Sequence, residues 1–330
     1  MIDVPLSVLD LAPVQAGASP GEALAATTEL ARRTEELGYR RFWVAEHHNM
    51  PGIASSSPSV VIAHLAAATA RIRVGSGGVM LPNHAPLVVA EQFGTLDALH
   101  PGRIDLGIGR APGTDQATAL ALRRTAEGLS AESFPSELAD LLRYFRGVGP
   151  GGITATPGRG AAPEIWLLGS SGYSAQVAAV LGVRFAFAHH ISPTNTEAAL
   201  ALYRDNFRPS EQLERPHAMV AVSAICADTD ERADTLARPR DLAFLYLTSG
   251  RPRALPTPEE AAAFQPSERE SHFIAQRRAG QVMGSPETVR AQLDDLLRRT
   301  EADELMLNTL VYDIEDRARS FELIAKVAAA

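Results

Sequence analysis

The chain is 330 residues long, 45% hydrophobic and 21% charged, a composition able to bury a large core. Its 39 acidic against 31 basic residues give a net charge of −8 spread along the sequence, which argues against a nucleic-acid or anionic-membrane surface and favours small-molecule chemistry. Cys226 is the only cysteine, so neither an intrachain disulfide nor a thiolate metal cluster can form.

The opening MIDVPLSVLDLAPV carries Asp3 and Asp10 and lacks the basic lead of a signal peptide. No apolar run approaches the roughly 20 residues of a membrane helix, so a cytoplasmic protein is expected. Strands are read at 5–11, 41–46, 72–80, 103–109, 164–169, 184–188, 217–226 and 304–310. Several are continuous apolar runs, the pattern of a parallel sheet covered by helices. Ser19-Pro20-Gly21-Glu22 is a capping-box pattern, followed by Leu24, Ala31 and Leu37 before Gly38 ends the helix. Ser285-Pro286-Glu287 opens another helix carrying Val289, Leu293, Leu296 and Leu297.

Strands alternating with helices, without two distinct halves, predict an α/β chain folded as one (β/α)8 TIM barrel over residues 1–330. Two stretches exceed ordinary connections and are expected as insertions, at about 111–162 and 248–270; the second, rich in Pro, Ala and charge, reads as a mobile lid. A dinucleotide-binding alternative rests on GIGRAPG, Gly107 to Gly113. Pro112 occupies the third glycine position, however, and the motif follows the fourth strand, not the first.

In such a barrel the chemistry gathers at strand C-termini. Glu46, His47 and His48 follow strand two, Asn83 and His84 strand three, Arg110 strand four, and His189 and His190 strand six. The His-His pairs invite a metal, but neighbours on an extended chain point to opposite faces and neither pair has helical i, i+4 spacing, so no metal site is assigned. In LGSSGYSAQ, Ser170, Ser171, Tyr173 and Ser174 lie where strand five gives way to a helix. Small residues and a helix N-terminus suit an anion, with Arg110 adding a charge-assisted contact; simple capping by Ser170 or Ser171 is the alternative. Gly75, Gly77 and Gly78 in VGSGGVMLPNH signal a bulge or a close approach of backbone to a flat ligand.

WVAEHH, VGSGGVMLPNH, PLVVAEQFGTLDALHPGRIDLGIGRAPG and GSSGYSA, in this order, give a chain that resembles the bacterial luciferase-like family of flavin-dependent oxidoreductases; the likeness reaches the C-terminal GSPETVRAQLDDLL and DELMLNTLVYD. The resemblance implies a TIM barrel that dimerises through helices beside the second and third strands and binds FMN or, in one branch, a deazaflavin. It implies that His47 is the catalytic histidine and that Gly77-Gly78 is a cis peptide against the flavin ring. Arg110, Ser170, Ser171 and Ser174 match phosphate contacts, and Tyr173 is counted with them. Gly109 and Ser170 replace a cysteine and a glutamate of the luciferase catalytic subunit, so light emission is not expected. The activity implied is an FMN-dependent monooxygenase taking O2, a small organic substrate and reduced FMN from a separate flavin reductase. The alternatives are a flavin-binding barrel without oxygenase activity and a deazaflavin-dependent oxidoreductase.

Overall fold

The apolar runs become strands β1 (Leu6–Asp10), β2 (Arg41–Val44), β3 (Arg73–Met80), β4 (Ile104–Gly109), β5 (Glu164–Gly169), β6 (Arg184–Ala188), β7 (Ala218–Cys226), β8 (Val282–Gly284) and β9 (Glu304–Asn308). Between and after them run helices α1 (Pro20–Glu36), α2 (Pro58–Ala68), α3 (Pro86–Leu99), α4 (Gln116–Arg123), α5 (Phe134–Arg146), α6 (Gly172–Leu181), α7 (Thr196–Asp205), α8 (Asp230–Thr248), α9 (Pro258–Ala263), α10 (Glu268–Arg278), α11 (Pro286–Thr300) and α12 (Ile314–Ala329). The computed structural model describes residues 2–111, 115–123, 133–147 and 149–329. Within the first expected insertion, and at Pro112 and Gly113 of the glycine motif, residues 112–114, 124–132 and 148 lie outside the described residues.

Eight strands pair in parallel in the order β1-β2-β3-β4-β5-β6-β7-β9, and β9 returns to β1, closing a barrel with helices around it. This is the (β/α)8 architecture expected from the strand pattern. The ninth strand, β8, was not expected. It pairs Val282 and Gly284 with Ala224 and Cys226 of β7, above the level where the β7–β9 ladder ends at Ser223 opposite Asn308. Three residues ending in glycine are too short to show a period.

Local chemistry sets the helix starts. Ser19 accepts from the Glu22 amide while Glu22 accepts from the Ser19 amide, completing the capping box. Ser285 likewise accepts from Thr288 N and begins α11. The segment read as a lid holds the end of α8, then α9, then a second capping box, Ser267 with Glu270, that starts α10. Its middle is docked: Leu255 N donates to Val14 O and Ala16 N to Leu255 O, both at 2.8 Å.

The lower, N-terminal half of the barrel interior is filled by charge. Arg41 is 1% exposed and pairs with Glu304 at 2.8 Å, Asp105 at 2.8 Å and Glu164 at 2.9 Å. Arg73 adds a second contact to Asp105 at 2.6 Å, and the Trp43 indole N–H donates to the same carboxylate at 2.9 Å. Above this layer Leu9, Trp43, Trp166, Ala186, Met219 and Met306 form a small apolar cluster that seals it from the upper end. No helix among the described residues is long and apolar enough to cross a membrane.

Candidate active site

A cavity of about 580 Å³ opens at the C-terminal end of the strands, within the roughly 300–1,000 Å³ range of small-molecule sites. Its floor includes Leu9, Trp43, Leu168 and Met306; α8 and α10 supply Arg240, Phe244 and Arg277 to its wall, and Pro252, Arg253 and Leu255 come from the docked segment. His47, Gly77, Gly78, Arg110, Ser170, Ser171 and Ser174 all line it. The residues singled out from four strand ends are therefore brought together.

β2 ends at Val44, two residues earlier than expected, so Glu46, His47 and His48 occupy the loop beyond it. They still separate. Glu46 is fully buried and accepts from His48 Nε2 at 2.9 Å, Asn83 Nδ2 at 3.0 Å, His84 Nε2 at 3.0 Å and Met80 N at 3.0 Å. Burial opposes its ionisation, but the bonds from His84, Asn83 and His48 outweigh it and hold the carboxyl below its ordinary value. Glu46 thereby ties the loops after β2 and β3 together, and His48 belongs to that tie. His47 instead faces the cavity. Its backbone N–H is fixed on Ser55 O at 3.1 Å, while its buried Nδ1 has no hydrogen-bond partner among the described residues. Burial, with the nearby His48 and His190, lowers its pKa despite Glu46, so the imidazole is neutral at pH 7.

The second His-His pair divides in the same way. His190 enters the cavity and its Nδ1 donates to Ala221 O at 2.9 Å, whereas the His189 ring turns to Thr196 Oγ1 at 2.7 Å. Burial keeps both below the usual imidazole pKa, His189 at about 4.

The glycines of β3 form a bulge beside β4. Ser76 lies opposite Leu106 and Val79 opposite Ile108, so one extra residue is accommodated at Gly77-Gly78, whose peptide bond is cis. A Cβ on Gly78 would sit 2.9 Å from Gly107 O, and one on Gly77 would sit 2.7 Å from a Leu9 methyl. Only glycine permits this packing, and it leaves bare backbone in the cavity wall.

Across the cavity β5 runs into α6. A Cβ on Gly169 would lie 2.2 Å from Ser174 Cβ, so the strand end and the first helical turn are in direct contact. Ser171 is the N-cap residue, yet its side chain makes no capping hydrogen bond. The capping alternative therefore fails for Ser171, and the first-turn amides of α6 keep their donor capacity. The Arg110 guanidinium stacks over the Tyr173 ring at 4.5 Å from its centroid, bringing a cation to the same helix start. Arg110 has no carboxylate partner among the described residues.

Arg240, Phe244 and Arg277 were not anticipated. They lie on helices, where an arginine in sequence reads as a solvated face.

The comparisons with known proteins extend this picture. A family model described as luciferase-like monooxygenase matches residues 4–304. A luciferase-like monooxygenase of Escherichia coli strain K12 is 47% identical, covering 98% of this chain and 97% of its own. An N-acetyl-S-alkylcysteine monooxygenase of Bacillus subtilis strain 168 is 34% identical, covering 97% of each chain. Among solved structures, apo-MsnO8 matches with a TM-score of 0.91 and 39% identity over 98% of both chains. The oxygenating constituent of 3,6-diketocamphane monooxygenase from Pseudomonas putida, in complex with FMN, shares the fold with a TM-score of 0.75 at 19% identity, covering 98% of this chain and 97% of that one. A family match over nine-tenths of the sequence and close relatives aligned end to end agree with a cavity built at the strand ends of the barrel: the chain belongs to the luciferase-like monooxygenases.

Proposed function

We propose that this protein is an FMN-dependent monooxygenase that uses reduced FMN and O2 to oxygenate a small organic substrate. One observation carries the reading. One cavity joins an uncapped helix start and an arginine without a carboxylate partner among the described residues, at one side, to bare glycine backbone and an imidazole nitrogen likewise unpartnered among them, at the other. The first pair fits a phosphate and the second fits a flat, polar-edged ring. The residues present thus fit FMN.

When bound, FMN supplies the electrons and the activation of dioxygen. The chain supplies the rest. Arg110, Ser170, Ser171, Ser174 and the α6 amides would hold the phosphate, with Tyr173 fixing the guanidinium plane. The Gly77-Gly78 backbone would let the ring lie close. His47, neutral and unpartnered at Nδ1, would accept or return a proton there. The apolar floor of Leu9, Trp43, Leu168 and Met306 would keep water from the reacting atoms.

The sequence carries no complete dinucleotide fingerprint leading from a strand into a helix, which supports delivery of the reduced flavin by a separate reductase. The protein would act in the cytoplasm as a homodimer. Val60 on α2 and Val88 and Leu99 on α3 are 67%, 44% and 65% exposed, on the helices beside β2 and β3, which supports that face as the dimer contact. Light scattering tests it: a monomer at micromolar concentration contradicts it.

The activity test follows oxygen uptake and product mass with enzymatically reduced FMN over a substrate panel. His47→Ala is expected to lower turnover at least a hundredfold while changing the FMN dissociation constant less than threefold. Equal losses in both would remove the assigned role. Binding of a deazaflavin in preference to FMN would replace monooxygenation with hydride chemistry.

A further inference from the structure

We propose that Arg277 forms, with Arg240 behind it, an anion subsite that selects a substrate bearing a carboxylate. The inference rests on the flavin reading above for which part of the cavity remains for substrate. Among the described residues, four arginines line the cavity, Arg110, Arg240, Arg253 and Arg277, and no aspartate or glutamate does, although the chain as a whole is acidic.

The four differ in what holds them. Arg110 belongs to the helix start of α6. Arg253 is exposed and stacks on Tyr246. Arg240, 4% exposed, is neutralised by Asp241 at 3.2 Å and bonds Ser223 Oγ at 3.2 Å. Arg277 is half-buried with its guanidinium carbon 3.1 Å from the Phe244 ring centroid, and Phe244 in turn stacks on Phe273. It makes no ion pair among the described residues. The nearest carboxylate of influence, Asp241, is already engaged by Arg240 and by Arg278 at 2.6 Å. Burial and Arg240 lower the pKa of Arg277 to about 10, so at pH 7 it remains a desolvated, uncompensated cation. Such a group gains most from an oxyanion, and a planar fork fixed on an aromatic face is oriented for a carboxylate.

Its position fits an anchor. His47, His190 and Arg277 line the same cavity, and His190 and Arg277 also share a smaller pocket beside it. A substrate held there by its carboxylate would extend its apolar portion toward His47.

The test titrates 4-phenylbutyrate, octanoate and their two amides into the protein by calorimetry, with and without saturating FMN. Each acid is expected to bind at least tenfold more tightly than its amide. Arg277→Met should bring that ratio below twofold with the FMN affinity changed less than threefold, and Arg277→Lys should retain part of the preference. Should Arg277→Met fail to fold, Arg277→Gln carries the same expectation. Equal binding of acids and amides by the wild type, or a preference that survives loss of the Arg277 charge, overturns the proposal. So does a loss of FMN affinity in Arg277→Met that Arg110→Ala does not show, since the arginine would then serve the flavin. If FMN fails to bind at all, the flavin reading falls, while the acid-to-amide ratio in the flavin-free protein still decides the subsite.

Discussion

The two ends of the barrel partner their arginines differently. At the lower end Arg41 is enclosed with Asp105, Glu164 and Glu304, and the interior is closed by the chain's own counter-charges. At the upper end Arg110 and Arg277 stack on aromatic rings and meet no carboxylate among the described residues. The lower network is complete without a ligand, so its cations serve stability. In the proposed reading, Arg110 and Arg277 would find their counter-charge in bound ligands. In both places burial sets a high cost for an unpaired charge, and only the source of the partner differs.

Removing an arginine from each end probes that contrast. Arg41→Met removes the cation shared by buried Asp105 and Glu304 and half-buried Glu164 and is expected to lower stability by about 3–5 kcal/mol, read by denaturant unfolding. A change under about 1 kcal/mol would mean that the lower network is not what closes the barrel. Arg110→Ala should leave the melting temperature within a few degrees and weaken FMN binding by about 10–100-fold, the loss of a charge-assisted contact. A large loss of stability with unchanged FMN affinity would reverse the roles of the two ends.

The smallest effect is in pH. The His47 pKa is lowered by burial, so its neutral form persists until the pH falls below the ordinary imidazole value of 6.5. The acid limb of kcat/KM should therefore have its midpoint below 6.5, and a midpoint above 7 would contradict a neutral His47. Glu46, Glu164 and Glu304 have folded pKa values below 4.5, where burial is outweighed by hydrogen bonds from His84 to Glu46, by Arg41 and Arg73 at Glu164, and by His217 and Arg41 at Glu304. Their contribution is present above pH 4.5 and lost as pH falls through the lower folded values. Because burial also holds His47, His189 and His190 below the ordinary imidazole value, the unfolded chain binds more protons than the folded one below pH 6.5; thermal stability should therefore begin to fall between pH 7 and 5 and decline further below 4.5.

Much of this was legible in the sequence. Strands buried on both faces leave long apolar runs, so the eight barrel strands could be read, and strand ends in a barrel fix where polar residues converge. The serine-rich start of α6 and the glycines of β3 carry their reasons in residue type. The lower ion network was not legible. Arg41 begins an apolar strand, and in a barrel strand both faces are buried, so alternation cannot show that its side chain turns inward to meet Glu304, 263 residues away. Arg240 and Arg277 were hidden for a related reason, since a charged residue on a helix ordinarily faces water. In the segment read as a lid, Pro and charge content masked the Ser267 capping box of α10 and the backbone ties of Leu255, so its helices and its docking were not legible.

The central claim is that the upper cavity recognises a flavin through its phosphate at α6 and Arg110. Anaerobic titration of the wild-type protein with reduced FMN and with reduced riboflavin tests it most directly, because the two ligands differ only in that phosphate. Reduced FMN is expected to bind at least tenfold more tightly than reduced riboflavin. Equal affinities, or no binding of either, would contradict it.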